Sequence, residues 1–123
     1  MNGIVYILKF EQPMGTPRHS AQYYIGWCKS KNLELRLATH YAGNGAVITR
    51  RFVERNIGFR VVYIENGTRC DERALKLKKN APRLVRKLDK LGKLISLEAA
   101  GKKGLVFGWK GDLSEPKLQE VDR

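Results

Sequence analysis

Acidic side chains are scarce in this sequence. Its 123 residues hold 12 Asp and Glu against 24 Lys and Arg, which gives a formal net charge of +12 at pH 7. The last twenty residues hold three basic and four acidic side chains, so the excess lies within residues 1–103. A positive potential of this size concentrates polyanions, and nucleic acid is their commonest form in a cell. Charge alone leaves open a basic surface kept for solubility, or one that binds anionic lipid or acidic protein.

Other absences narrow the class of protein further. No apolar run approaches the roughly 20 residues of a membrane span, and no basic segment precedes Ile4 to indicate a secretory signal. Cys28 and Cys70 are predicted to stay reduced, and no Cys/His cluster has the spacing of zinc ligands. Hydrophobic residues make up 42% of the chain, which is a globular composition. We therefore expect one intracellular domain without a membrane span, in the cytoplasm and on the nucleoid if the source is bacterial.

The patterning predicts an α+β domain with a three-stranded antiparallel sheet flanked by helices. Runs of β-branched and aromatic residues predict strands at 4–10, 22–27 and 59–65. Two prolines and a glycine make 11–20 a predicted loop between the first two strands. Apolar residues at helical spacing predict two helices after the second strand and two after the third, so the order is β-β-α-α-β-α-α.

The third predicted helix carries charge on one side. Thr68 followed by Asp71 marks its start, in the manner of a capping box. Cys70, Ala74 and Leu77 would face the core, and Glu72 would lie on the opposite, basic stripe. Gly92 ends the fourth helix, so we predict a domain over residues 1–92 and a C-terminal extension over 93–123 that packs on it or trails from it.

Five residues could together cleave a phosphodiester, which requires an activated water, a cation for the phosphorane and often a carboxylate-bound metal. Tyr6 and Tyr24 lie on predicted paired strands, while Arg36 and His40 share a helix face one turn apart. Glu72 can hold a divalent ion beside a polyanion. Each also has a structural interpretation: strand tyrosines usually pack in a core, His40 would be a surface histidine, and Glu72 would pair with the lysine four residues on.

Four segments in this order resemble the GIY-YIG nuclease family: VYIL at 5–8, YYIG at 23–26, NLELRLATH at 32–40 and ERALK at 72–76. The resemblance covers about residues 3–90. It implies metal-dependent hydrolysis of DNA on a small α/β core, with RNA left open as a substrate. The implied catalytic residues are Tyr6, Tyr24, Arg36, His40 and Glu72.

The resemblance also implies a role for each of these residues. Tyr6 would take the proton of the attacking water, with its pKa lowered by nearby cations or the metal. Arg36 would bind the charge on the phosphorane, and Glu72 would hold Mg²⁺ or Mn²⁺. Tyr24 and His40 would position phosphate, water or metal-bound waters, and His40 would alternatively share the proton transfer with Tyr6.

Two further positions follow from the family pattern. Gly26 matches the motif glycine, whose missing side chain leaves room beside the scissile phosphate. The asparagine or lysine that many members carry after the glutamate has two candidates here, Asn80 and Lys87. This departure keeps a second interpretation open, in which the protein is a nucleic-acid-binding module of the same fold that does not cut.

Basic side chains on exposed helical stripes are predicted to contact phosphates. They are Arg50, Arg51, Lys76, Lys79 and Arg83. The extension over 93–123 is too short for a typical DNA-reading domain. Recognition of the target is therefore expected to come from DNA structure, from a partner protein or from a homodimer.

Overall fold

A long antiparallel hairpin forms one side of the sheet. In the computed structural model, which describes residues 2–15, 20–77 and 81–111, β1 (Asn2–Gly15) pairs with β2 (Ser20–Lys29). The two strands are rich in the β-branched and aromatic residues that suit a pleated, buried surface. The sequence predicted this hairpin, and its pairing is confirmed.

The connection between the two strands is shorter than predicted. The loop expected at 11–20 is wrong for residues 11–15 and 20, which belong to the strands, while 16–19 lie outside the described residues. The register shifts between Lys9 and Met14, and Pro13 falls in that interval. A sheet accepts proline where no ladder hydrogen bond is required, so this proline does not end the strand.

Two further strands complete the sheet in the order β2-β1-β3-β4. β3 (Phe59–Thr68) pairs antiparallel with β1, and the short β4 (Val106–Phe107) pairs with β3 at Phe59 and Arg60. The α+β class is confirmed, but the prediction of three strands was wrong, because the described part of the chain has four. β4 is only two residues long and cannot display the alternation by which a strand is predicted.

Within the described ranges a single 3₁₀ turn (Ser30–Asn32) follows β2, and five α-helices flank the sheet: α1 (Leu33–Tyr41), α2 (Val47–Glu54), α3 (Arg69–Leu77), α4 (Ala81–Lys90) and α5 (Leu97–Lys102). The first four follow the predicted order, and α5 was not predicted. The Thr68 N–H donates to Asp71 Oδ2 at 2.7 Å and the Asp71 N–H donates to Thr68 Oγ1 at 3.3 Å, which confirms the start of α3. No helix in the described segments has the length and apolar content of a bilayer span.

Both faces of the sheet are covered by helices. Alternation along β1 sends Tyr6 and Leu8 into one buried cluster, which Leu37 of α1 joins. Val5 lies in a second buried cluster, together with Val85 of α4. The first cluster also holds residues of α2 and α5, so these two helices cover the same face as α1, while α4 covers the other.

The segment after α4 contributes to the first cluster. Ala100 of α5 and Leu105 are both buried in it, and β4 extends the sheet beside β3. Residues within the predicted extension therefore pack on the sheet. The domain limits of 1–92 and 93–123 stay a prediction.

α3 presents a different face to the sheet from the predicted one. Cys70 and Ala74 are exposed, whereas Leu75 packs against the second cluster and Glu72 is only partly exposed. The prediction that Cys70 and Ala74 face inward was wrong, and the side chain of Leu77 is not among those described. α3 is nine residues long, about two and a half turns, so its spacing alone does not distinguish two neighbouring faces. Glu72 therefore lies nearer to the sheet than the sequence indicated.

Candidate active site

The central hairpin brings two tyrosines together. Tyr6 lies directly opposite Gly26 in the register of β1 and β2, and its ring centroid is 6.4 Å from that of Tyr24. A Cβ atom at Gly26 would come within 2.5 Å of the Tyr6 hydroxyl and 2.8 Å of the Tyr24 ring. The missing side chain at Gly26 therefore makes room for the two tyrosines. Its predicted contact with the scissile phosphate stays a prediction.

Helix α1 adds a histidine and an arginine to the tyrosines. His40 is fully buried and its Nε2 lies 2.8 Å from the Tyr6 hydroxyl, so its interpretation as a surface histidine was wrong. Arg36, one turn earlier, is half-buried and hydrogen-bonds to the hydroxyls of Tyr6 and Tyr24. Its Nε is buried without a hydrogen-bond partner among the described residues. A buried donor of this kind is uncommon in a folded protein and marks a place for a further acceptor.

A threonine of α2 contacts His40 from the other side of the ring. Thr49 Oγ1 lies 3.0 Å from His40 Nδ1 and donates to the Ala46 carbonyl at 2.9 Å. The Thr49 side chain is fully buried. The sequence analysis missed Thr49, because a single threonine inside a predicted amphipathic helix carries no sign of such a contact.

The contacts run from Arg36 through Tyr6, His40 and Thr49 to the Ala46 carbonyl, and the two end groups determine which partner donates in each hydrogen bond. The Arg36 guanidinium can only donate, and the Ala46 carbonyl can only accept. Thr49 uses its one proton on that carbonyl, so His40 Nδ1–H must donate to Thr49. The Nε2 of a neutral imidazole then accepts, and Tyr6 donates to it. The tautomer of His40 is thus assigned from the network that surrounds it.

Burial keeps Tyr6 and His40 uncharged. It raises the pKa of the Tyr6 hydroxyl well above its ordinary value, and the hydrogen bond from Arg36 offsets this only in part. Burial, with a smaller contribution from the charge of Arg36, lowers the pKa of His40 to about 4. Arg36 lowers the Tyr6 pKa, as expected of a nearby cation, but burial outweighs it, so in the free protein the pKa lies above its ordinary value rather than below it. At pH 7 Tyr6 keeps its proton and His40 is uncharged.

Glu72 reaches the same neighbourhood from α3. Its carboxylate lies 3.2 Å from Lys76 Nζ, and that ammonium is 5.4 Å from the centroid of the Tyr24 ring. The Glu72 side chain is 14% exposed, whereas that of Lys76 is 46% exposed. The predicted ion pair is confirmed, and its lysine connects the glutamate to the tyrosines.

The family model of the GIY-YIG catalytic domain matches residues 2–83. The chain belongs to the GIY-YIG family. No curated protein and no solved structure matches it. Membership implies a nuclease acting on nucleic acid, and the matched range contains all five predicted catalytic residues.

GIY-YIG nucleases generally use a divalent metal, and Glu72 fits part of such a site. Within the described segments no group of three or more His, Cys, Asp and Glu side chains could hold a metal. Mg²⁺ is commonly bound through one or two carboxylates, several waters and substrate phosphates rather than by a cage of side chains. A single, largely buried carboxylate beside the tyrosines suits that mode of binding.

The predicted phosphate contacts do not form one stripe in this GIY-YIG domain. Arg50 and Arg51 are exposed on α2, and Lys76 lies next to Tyr24. Arg83 is exposed on α4, which covers the opposite face of the sheet. Lys79 lies outside the described residues.

Within the described residues, neither candidate for the family asparagine or lysine after the glutamate is seen at the site. Lys87 is exposed on α4 and lies beyond the range that the family model matches. Asn80 lies within the matched range but outside the described residues.

Proposed function

We propose that this protein is a metal-dependent endonuclease that hydrolyses phosphodiester bonds in DNA. The supporting observation is the buried hydrogen bond between Tyr6 and His40 beside Arg36. It places a proton acceptor, His40, and a cation that can bind phosphate, Arg36, on the same tyrosine hydroxyl. RNA stays open as a substrate. A cytoplasmic location, on the nucleoid in a bacterium, belongs to the same proposal.

In this proposal Tyr6 passes a proton rather than storing one. Its raised pKa disfavours a phenolate, so Tyr6 takes the proton of the attacking water as it gives its own to His40 Nε2, 2.8 Å away. The water oxygen forms a bond to phosphorus, and the bond to the leaving oxygen breaks. His40 becomes an imidazolium, which the negative charge of bound nucleic acid stabilises.

Arg36 binds the charge that develops on the phosphorane. Its guanidinium already contacts the hydroxyls of Tyr6 and Tyr24, which fix its orientation before substrate arrives. The buried Nε is its donor without a partner among the described residues, and a phosphate oxygen would supply the acceptor. Tyr24 shares in positioning both Arg36 and the phosphate.

Glu72 is the proposed ligand of Mg²⁺ or Mn²⁺. When bound, such an ion supplies positive charge to the phosphate oxygens and to the leaving oxygen. Lys76 now neutralises Glu72, and it would be free to contact a phosphate once another cation binds that carboxylate. Its position against Tyr24 keeps the ammonium within the site during this exchange.

Nicking of supercoiled plasmid in the presence of Mg²⁺ tests the proposed activity. The wild type should nick the plasmid, while Arg36→Ala and Glu72→Gln should each lose about 100-fold or more of the rate with an unchanged circular dichroism spectrum. Full cleavage by either purified variant would contradict the mechanism.

The alternative function is a nucleic-acid-binding module that does not cut, which the unassigned asparagine position favours. DNA binding by the wild type without nicking, over a panel of duplex, branched and single-stranded substrates, would support it. The same panel shows whether DNA structure sets the target. A homodimer or a partner protein is the other proposed source of targeting, and sedimentation with and without DNA tests the homodimer.

A further inference from the structure

We propose that Thr49 is a positioning residue that holds His40 in the tautomer with its proton on Nδ1, so that Nε2 accepts from Tyr6. The role in cleavage rests on the proposed function. The tautomer itself does not, because it is a property of the free protein.

The first argument is that Thr49 has one proton and two neighbours. Its hydroxyl donates to the Ala46 carbonyl at 2.9 Å, so its oxygen presents lone pairs to His40 Nδ1 at 3.0 Å. Both Thr49 and His40 are fully buried, and they are the buried polar side chains among the described residues. Water therefore does not compete for this contact, and the threonine is the acceptor that Nδ1–H has.

The second argument is the fit of the backbone around Nδ1. A Cβ atom at Gly45 would collide with Nδ1 of His40, so the loop between α1 and α2 passes directly against that nitrogen. Thr49 is the third residue of α2, in the first turn, and its hydroxyl donates to a carbonyl three residues back. Gly45 and Thr49 thus hold the Nδ1 edge of the ring from two sides, while Tyr6 contacts the Nε2 edge.

Removing the Thr49 hydroxyl should reverse the tautomer. Valine has nearly the shape of threonine but offers no acceptor, so Nδ1–H would be left buried and unpaired. A neutral imidazole avoids this by carrying its proton on Nε2, where the Tyr6 oxygen can accept it. Tyr6 would then have no acceptor on His40 for its own proton, and the proposed proton path would be broken.

Thr39→Val is a matched control for this change. Thr39 precedes His40 on α1, and its hydroxyl donates to the Leu35 carbonyl at 2.8 Å, which resembles the bond from Thr49 to Ala46. The control therefore removes a threonine hydroxyl from the helix that carries the histidine. The described contacts of that hydroxyl do not include the imidazole. Thr49→Ser supplies the rescue, because it keeps the hydroxyl and loses only a methyl group.

The experiment is ¹⁵N NMR of the imidazole in the free protein at pH 7, together with plasmid nicking. The chain has two histidines, so His19→Gln leaves the signals of His40 alone. We expect Nδ1–H in the wild type, in Thr39→Val and in Thr49→Ser, and Nε2–H in Thr49→Val. Cleavage by Thr49→Val should fall roughly 10- to 100-fold, as for other partners that orient a histidine, and Thr49→Ser should restore most of it.

Each result has one meaning. A wild-type imidazole protonated on Nε2 would overturn the proposal even if Thr49→Val did not fold. An unchanged tautomer in folded Thr49→Val would overturn it as well. A reversed tautomer with full cleavage would overturn the positioning role. A reversed tautomer in a protein that cuts no nucleic acid would uphold the assignment of the hydrogen bonds and refute the proposed function.

Discussion

Tyr6 and Glu72 reach the same candidate site from very different surroundings. Tyr6 is fully buried in the middle of the sheet, and a hydrogen bond to a buried, uncharged histidine fixes its hydroxyl. Glu72 lies on a nine-residue helix, and its charge is balanced by Lys76, which is nearly half exposed. At Tyr6 the site is internal, with an uncharged tyrosine and histidine, whereas at Glu72 it is an ion pair of a largely buried carboxylate and a lysine that is nearly half exposed.

This difference distinguishes the part of the site that forms when the protein folds from the part that forms only when substrate binds. A buried hydrogen bond is held by the packing around it and exists before nucleic acid binds. An ion pair whose lysine is nearly half exposed is held less firmly, because water and salt reach the ammonium and screen its charge. We infer that the proton path from Tyr6 to His40 is preformed. At Glu72, by contrast, a metal ion replaces Lys76 as the partner of the carboxylate only when a phosphate binds as well.

The largest expected effect is on the buried half. Tyr6→Phe removes one hydroxyl from the proton path and should lower cleavage by roughly 100- to 10,000-fold, the range for general acid–base groups. Tyr63→Phe is a matched control, since Tyr63 is buried against the opposite face of the sheet and its hydroxyl donates to Glu65. That variant should keep its rate. Equal loss in both would mean that buried tyrosines act through stability alone.

The buried half was also the better predicted half. The tyrosines, Gly26 and the α1 residues occur in motif order, and the structure brings Tyr6, Tyr24, Arg36 and His40 together as expected. Thr49 was missed because its importance arises only from contact with His40, nine residues away on another helix. Sequence spacing does not encode that packing.

Errors elsewhere have a similar cause. β4 is a strand because it docks beside Phe59 and Arg60, nearly fifty residues away in sequence, and two residues carry no period of their own. The orientation of α3 depends on which of its short faces meets the sheet, so Glu72 was placed too far outward. Propensity and periodicity predicted the existence and order of these helices, but packing decides their rotation.

The second prediction concerns pH and the stability of the buried half. The pKa of His40 is lowered to about 4 in the folded state, against about 6.5 when unfolded. The unfolded chain then binds the proton more readily, so stability is full above pH 6.5 and falls as the pH drops towards 4. This residue alone should remove about 3 kcal/mol of unfolding free energy between pH 7 and pH 4.

Urea denaturation at several pH values measures this effect. His40→Gln keeps a polar side chain that does not titrate, so its unfolding free energy should be lower at pH 7 but should depend less on pH than that of the wild type. The same pH dependence in both proteins would show that His40 is not held neutral by burial.

The third prediction concerns the ionic half. Lys76→Met removes the cation that neutralises Glu72, so Mn²⁺ should bind the free protein roughly five to ten times more tightly by titration calorimetry. Lys102→Met is the control, since Lys102 pairs with Glu98 at the same helical spacing on α5, at 4.0 Å. A gain in the control equal to that in Lys76→Met would mean that overall charge, not the Glu72 carboxylate, sets metal affinity.

The smallest effect separates the two faces of the sheet. DNA affinity of the wild type should fall steeply with salt, by about 0.9 in log K per phosphate neutralised for each decade of salt. Arg51→Gln on α2 should reduce that slope by about one contact. Arg83→Gln, on the face that α4 covers, should leave the slope unchanged if the DNA lies along the α1–α2 face. Equal changes of slope in both variants would mean that DNA contacts both faces of the molecule.

The coupling between metal and DNA tests the central comparison most directly. DNA affinity is measured with and without Ca²⁺, an ion that usually supports binding but not cleavage, in the wild type and in Glu72→Gln. If Glu72 binds a metal ion only together with phosphate, Ca²⁺ should strengthen DNA binding by the wild type about tenfold. Glu72→Gln should abolish that gain and should change DNA binding without metal only a little. Identical coupling in the two proteins would remove Glu72 from the metal site and contradict the account.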